Sequence, residues 1–271
     1  MPSAAPVSSV RDALSAAEDA LGAAGCDTPR LDAELLLAHA MGVSRETLFM
    51  ETAGAVSPAA ARRAMELIRR RVAREPVAYI TGVKGFRHID LVVDRRVLIP
   101  RPDTELLVEV ALGLPSGARV HDVGTGSGAI ALALKSERPD LVVSASDTSP
   151  GVVEVARANA QALELDVPIA VASGLPPGDY DMVLANLPYV REDEWAGLEP
   201  ELTRYEPREA LVSGADGLDA IRSLVAEAPA GTLLALEHAP AQAEAVRALL
   251  DSPETHRDLA GRERVTVGRA R

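Results

Sequence analysis

The stretch from Arg119 into the helical pattern at Ala129 constrains the fold most: an apolar strand-like run ends in Asp122 and Val123, then gives Gly124, Thr125, Gly126, Ser127 and Gly128. Glycines so spaced permit turns that side chains forbid and let a ligand approach the backbone. Strand, glycine loop and helix in that order make the opening of a nucleotide-type unit. Further strand-like runs near 141–146, 167–172, 180–185 and 231–237 alternate with helical patterns near 127–137, 150–163, 217–227 and 240–250. This alternation predicts an α/β fold, a parallel sheet with helices on both faces. The run 264–269 follows too short a connection for a helical crossover, so that strand is expected to be antiparallel.

The loop alone leaves its ligand open. With Ala129 it also satisfies the loose dinucleotide fingerprint, which a nicotinamide cofactor and S-adenosyl-L-methionine share. Asp147, at the end of the second strand, suits paired ribose hydroxyls in either case. Asp122 discriminates: just before the first glycine, its carboxylate would repel a pyrophosphate but suits the ammonium of a methionine moiety, directly or through water.

A second stretch carries the chemistry. Asn186, Leu187, Pro188 and Tyr189 follow an apolar run from Val183 that reads as a buried strand. A planar amino group would have its N–H donors accepted by the Asn186 side-chain oxygen and the Leu187 carbonyl, with Tyr189 over a flat face. Pro188 pushes residue 187 toward extended backbone and so directs that carbonyl. The same four residues also suit the plain end of a strand. Together with the glycine loop they point to methyl transfer, with Asn186 bordering donor and acceptor alike.

The N-terminal part differs in kind. Ser9 and Asp12 look like a capping box before Val10, Leu14, Ala17 and Leu21. Thr28–Pro29 and Ser57–Pro58 read as caps with first-turn prolines, ahead of stripes Leu31, Leu35, Ala38 and Met65, Ile68, Val72. Ser44 caps a short third helix, and Arg69, Arg70, Arg71 and Arg74 read as a solvated face. Residues 1–75 are therefore expected to form a small all-helical recognition domain, 76–100 a β-hairpin linker, and 101–271 the catalytic domain. The segment 100–105 is a stiff loop that forms a wall if it borders the site, and 190–210 reads as a long loop with at most a turn of helix.

Composition excludes several classes. At 47% hydrophobic and 25% charged the 271-residue chain is globular, and no run nears the about 18 apolar residues of a membrane helix. No secretory signal is evident, so a cytoplasmic location is expected. A single cysteine, Cys26, rules out an internal disulfide and a cysteine-rich metal site, and no metal is expected. The net charge of −12 would repel polyphosphate, so direct nucleic-acid binding is not expected. His121 and His238, near strand ends, read as satisfied core histidines, and no nucleophile elbow accompanies the serines.

The chain resembles the HemK/PrmC enzymes, bacterial methyltransferases of peptide chain release factors. The resemblance runs through residues 32–37, 75–82, 98–105 and 122–134, then Asn186 to Tyr189, Tyr205–Glu206–Pro207, Leu236–Glu237–His238 and 263–268. It implies a Rossmann-like class I methyltransferase sheet of seven strands, the last antiparallel, behind a helical domain that docks the release factor and a hairpin linker. It also implies a substrate, the side-chain amide of glutamine in the Gly-Gly-Gln loop, and S-adenosyl-L-homocysteine as product. Residues 124–128 and Asp147 would bind the donor, and Asn186 to Tyr189 the substrate amide. In two places the chain departs from the family. Leu187 stands where proline is usual, a form shared with ribosomal-RNA adenine dimethyltransferases, which keeps an adenine N6-methyltransferase acting on RNA or DNA as an alternative. Ser173 and Gly174 stand where an acid and an aromatic often border the adenine. A non-catalytic donor-binding docking protein is a second alternative.

Overall fold

Hydroxyl caps start the N-terminal helices. The computed structural model describes residues 9–50 and 53–271; residues 1–8 of the expected helical domain lie outside the described residues. Ser9 accepts the Asp12 amide at 3.2 Å and opens α1 (Val10–Ala23). Gly42, at φ 70°, closes α2 (Pro29–Met41), and Ser44 caps α3 (Arg45–Met50). Ser57 opens α4 (Pro58–Val72). Thr28 departs from expectation: its hydroxyl bonds the Asp32 carboxylate at 2.9 Å instead of a backbone amide.

The α1 stripe is buried as its spacing predicts. On α2, however, Leu31 and Leu35 stay exposed, while Ala33, Leu36, Leu37 and Ala40 are buried with Ala38. Leucines lie on several sides of α2, and Leu37, with Ala33, Ala38 and Ala40, joins the core cluster shared with α1 and α4. On α4, Ala60 and Ala64 face the core, whereas Met65 and Val72 do not. Of the arginine run Arg69 is solvated as expected, but the other three are engaged. Arg71 is buried with Nε 2.7 Å from Asp32, Arg70 pairs with Glu75, and Arg74 donates to the Gly25 carbonyl. A buried Asp32 demands a cation, and a guanidinium on a long stem can deliver one.

The expected hairpin linker begins instead with a helix, α5 (Val77–Thr81), stopped by Gly82 at φ 78°. The first compact unit ends at Gly82 and the second is Val83–Arg271, so the division falls after residue 82 and the hairpin belongs to the second unit. There β1 (Val83–Phe86) pairs antiparallel with β2 (Ile89–Val92). A 3-10 turn at Pro102–Thr104 leads into α6 (Glu105–Ala111). The doubly wound part then runs β3 (Arg119–Val123), α7 (Ala129–Glu137), β4 (Val142–Asp147), α8 (Pro150–Ala162), β5 (Ile169–Val171) and β6 (Met182–Ala185). It continues with α9 (Pro200–Tyr205), α10 (Asp219–Glu227), β7 (Leu233–Glu237), α11 (Ala243–Leu249), β8 (Asp251–Arg257) and β9 (Glu263–Arg269).

Among the described residues the seven-stranded sheet has the order β5-β4-β3-β6-β7-β9-β8. Its first five strands are parallel, and β9 runs antiparallel to both neighbours, as the resemblance implies. The order reverses between β3 and β6, which sets the C-terminal ends of β3, β4 and β6 around one crevice. The edge strand β8 has no counterpart in the expected strands: Asp251, Pro253 and Glu254 lack apolar alternation, as suits an exposed edge. Segment 190–210 holds more than the expected single turn of helix, since α9 spans 6 residues between two 3-10 turns. No helix among the described residues is long and apolar enough to cross a membrane.

Candidate active site

The crevice is a cavity of about 370 Å³. It brings together Gly124, Thr125, Gly126, Ser127 and Asp147 with Asn186, Leu187 and Pro188. Pro100, Arg101 and Thr104 line it too, so the stiff loop is a wall. That loop is tied down by Glu206, which accepts the Ile99 amide at 3.1 Å and pairs with Arg101.

Gly124, Gly126 and Gly128 all have φ between 58° and 87°, a region that favours glycine. A Cβ on Gly124 would lie 2.9 Å from Leu187 Cδ2. Gly128 does not line the cavity: a Cβ there would meet Leu132, so its smallness serves the start of α7. Most loop amides are already engaged. Gly124 and Thr125 donate to the Ser146 carbonyl at 2.9 and 3.0 Å, Gly126 to Asp147 Oδ2 at 3.1 Å, and Gly128 to the Thr125 carbonyl at 2.9 Å. A pyrophosphate, which needs such amides, would find them taken. Asp147 also accepts the Ser149 amide and keeps lone pairs for hydroxyls.

Asp122 lies at the end of β3, off the cavity wall and 1% exposed. Its Oδ2 accepts the Thr125 hydroxyl at 2.6 Å, and Oδ1 is buried with no hydrogen-bond partner. Burial raises its pKa to about 7. Of the two routes expected for a ligand ammonium, this position leaves the one through water.

At the end of β6 Asn186 Nδ2 donates to Thr104 Oγ1 at 2.9 Å, which leaves the amide oxygen as the end that can accept. Leu187 does more than present a carbonyl, since its side chain covers Gly124 and packs on the core around β6 and β7. Tyr189 departs from expectation. It does not line the cavity; its hydroxyl donates to Glu237 Oε1 at 3.3 Å, which commits the phenol to a buried acid rather than to the cavity. Burial raises its pKa. The Tyr189 carbonyl accepts from Gln242 Nε2 at 2.9 Å, and Gly217 leaves room for it, since a Cβ there would lie 2.1 Å from that oxygen.

Sequence reasoning gave no role to Glu237, Gln242, Asn159 or Glu227, and to Thr104 none beyond its place in the wall-forming segment 100–105. Glu237 closes β7 and is 1% exposed; burial pushes its pKa up to about 7 against the hydroxyls of Thr104 and Tyr189 and the charge of Arg264. An acid ending an apolar strand, on the same sheet end as the glycine loop, was the available signal. Asn159, buried on α8, donates to the carbonyls of Val92 and Ser127 and accepts the Val92 amide, joining the hairpin to the loop. Ser173 and Gly174 border the cavity, and so does Glu227 of α10, whose Oε2 accepts the Leu175 amide at 3.1 Å. Gly174 makes that approach possible, because a Cβ on it would lie 1.7 Å from the Glu227 carboxylate.

The histidines sit outside the cavity. His121 hydrogen-bonds Ser144 and Ser146, and burial lowers its pKa to about 4. His238, buried, is held between the Ala239 carbonyl and the Thr266 hydroxyl.

Residues 12–82 match the PrmC N-terminal domain family and residues 102–199 the methyltransferase small domain family. A release factor glutamine methyltransferase of Rhodospirillum rubrum is 40% identical over 266 residues, covering 93% of this chain and 82% of that protein. One from Deinococcus radiodurans is 39% identical over 274 residues, covering 96% and 98%. One from Burkholderia pseudomallei is 43% identical over 262 residues, covering 88% and 91%.

Proposed function

The chain belongs to the release factor glutamine methyltransferase family, and we propose that it methylates the side-chain amide nitrogen of the Gly-Gly-Gln glutamine in peptide chain release factors. S-adenosyl-L-methionine is the donor in this reading; when bound it supplies an electrophilic methyl group on a sulfonium. The observation that carries the proposal is one cavity lined both by the glycine loop with Asp147 and by Asn186, Leu187 and Pro188. The donor fits the residues present. Asp147 accepts ribose hydroxyls, the orphaned Asp122 Oδ1 suits a water-bridged ammonium, and the engaged loop amides speak against a dinucleotide. Glu227, on the cavity wall, offers the carboxylate that Ser173 and Gly174 do not and would accept an amino group of the donor.

An amide nitrogen is a weak nucleophile because its lone pair is delocalised into the carbonyl. The chain's contribution is orientation: Asn186 Oδ1 and the Leu187 carbonyl hold the two N–H bonds so that the lone pair faces the methyl group. The helical unit is the docking element, presenting Leu31, Leu35, Met65 and Val72 as exposed apolar side chains. We place the reaction in the cytoplasm, without nucleic acid as substrate.

Labelled donor supplied in parallel with folded release factor and with ribosomal RNA tests this reading. Label on the factor and none on the RNA is expected. Label on RNA alone would favour the adenine N6-methyltransferase, and donor binding without turnover the docking protein.

A further inference from the structure

Glu237 is the buried acid that the orientation argument leaves without a task. It closes β7 beside β6, with Leu236 paired to Ala185, so its side chain stands one strand away from the residue preceding Asn186. Both ends of the Asn186–Tyr189 segment lead to it. Tyr189 donates its hydroxyl to Oε1 at 3.3 Å. Asn186 donates to Thr104 Oγ1 at 2.9 Å, and the Thr104 hydroxyl is among the groups that favour the ionised form of Glu237. Because the Thr104 oxygen already accepts from Asn186, its proton is the part left to turn toward the acid.

We propose that Glu237 is a positioning residue for methyl transfer, its carboxylate fixing Thr104 and Tyr189 and, through Thr104, the rotation of the Asn186 amide that faces the substrate. This rests on the assignment of Asn186 as the substrate acceptor. Glu237 Oε2 is buried with no hydrogen-bond partner, the oxygen left for the Thr104 hydroxyl to turn toward. A neutral carboxyl directs its own proton, loses the demand for the hydroxyl protons, and frees Thr104 to rotate. The charged groups facing it are Arg264 of β9 and Asp103 of the turn before α6. Arg264 is itself held by Asp103 at 3.0 Å and Asp258 at 3.4 Å, so its charge is shared rather than spent on Glu237. Burial outweighs them all and sets the pKa near about 7, inside the working range of an enzyme.

The test uses the full chain and compares Glu237→Gln, Thr104→Val and Thr104→Ser with the parent. Glu237→Gln and Thr104→Val should each lower kcat by about tenfold or more, the scale of a misplaced orienting group, with S-adenosyl-L-homocysteine affinity unchanged. Thr104→Ser, which keeps the hydroxyl, should restore most of kcat. The parent should lose kcat on acidification through about pH 7 and Glu237→Gln should not. Independently of turnover, the side-chain amide NMR signals of Asn186 should titrate near that pH in the parent and stay fixed in Glu237→Gln. Signals that titrate identically in both, or a parent-like kcat in Thr104→Val, would overturn the inference. A parent that titrates as described but leaves release factor unmethylated would instead overturn the substrate assignment alone. Should Glu237→Gln fail to fold, the two Thr104 variants carry the decision.

Discussion

Among the described residues of the helical unit the two most deeply buried carboxylates are matched by arginines: Asp32 meets Arg71 at 2.7 Å, while Glu34 takes Arg30 at 2.6 Å and Arg45 at 2.8 Å on separate oxygens. In the α/β unit Asp122 and Glu237 are buried at least as deeply, yet each keeps one oxygen without a hydrogen-bond partner. Burying a carboxylate costs several kcal/mol unless a cation and hydrogen bonds compensate it. The first pair is therefore scaffold, with charge present only where it is neutralised. The second pair marks the places where the fold accepts an unfavourable acid, beside the glycine loop and behind Asn186. Such acids cluster at functional sites because their environment holds the proton affinity where chemistry can use it.

The sharpest way to break this contrast is to strip a matched acid of its partner. Arg71→Met leaves Asp32 buried and unpaired and should cost about 3 to 5 kcal/mol in urea unfolding, with donor affinity of the remaining folded protein unchanged. A loss below about 1 kcal/mol would mean that the ion pair is not structural.

Next in size is Asn186→Ala. Removing one oriented acceptor should lower single-turnover methylation by about 10²-fold or more while unfolding free energy and S-adenosyl-L-homocysteine affinity hold. Near-parent turnover would move the substrate site away from β6.

Asp147→Ala sharpens the donor side. Losing a charged acceptor for paired hydroxyls should weaken donor binding by about 1 to 3 kcal/mol in calorimetry, and unchanged affinity would remove Asp147 from the site.

The smallest effect is the pH dependence of stability. Asp122 and Glu237 have pKa values raised to about 7 from 3.8 and 4.5, so the folded state binds more protons than the unfolded chain between those limits. Their contribution is present below the unfolded values and is lost as pH rises through about 7. His121, lowered from 6.5 to about 4, has the opposite sign, its stability being lost as pH falls through about 4. Asp122→Asn should therefore gain in melting temperature over the parent progressively between about pH 4 and pH 7. A constant difference across that window would show that Asp122 is ionised throughout.

The legible parts of the site were contiguous. Residues 124–128 and 186–188 announce their geometry through glycine and proline, whose backbone limits act locally, and all of them but Gly128 reach the cavity. What the sequence concealed depends on side chains meeting across long separations. Thr104 and Asn186 are 82 positions apart, Tyr189 and Glu237 48, and Arg71 and Asp32 39. Arg71 looked solvated because it stands in a run of arginines, and no local pattern marks the one that turns inward. The edge strand β8 was hidden for the opposite reason, since an exposed edge needs no apolar alternation. Tyr189 was expected over a flat substrate face, whereas its hydroxyl meets Glu237, a residue of another strand that no local pattern links to it.

Tandem mass spectrometry of a release factor incubated with the full chain and S-adenosyl-L-methionine is the most direct measurement. One added methyl group on the side-chain amide of the Gly-Gly-Gln glutamine, absent when Asn186→Ala replaces the parent, is the predicted result; an unmodified glutamine, or one methylated equally by both proteins, would contradict it.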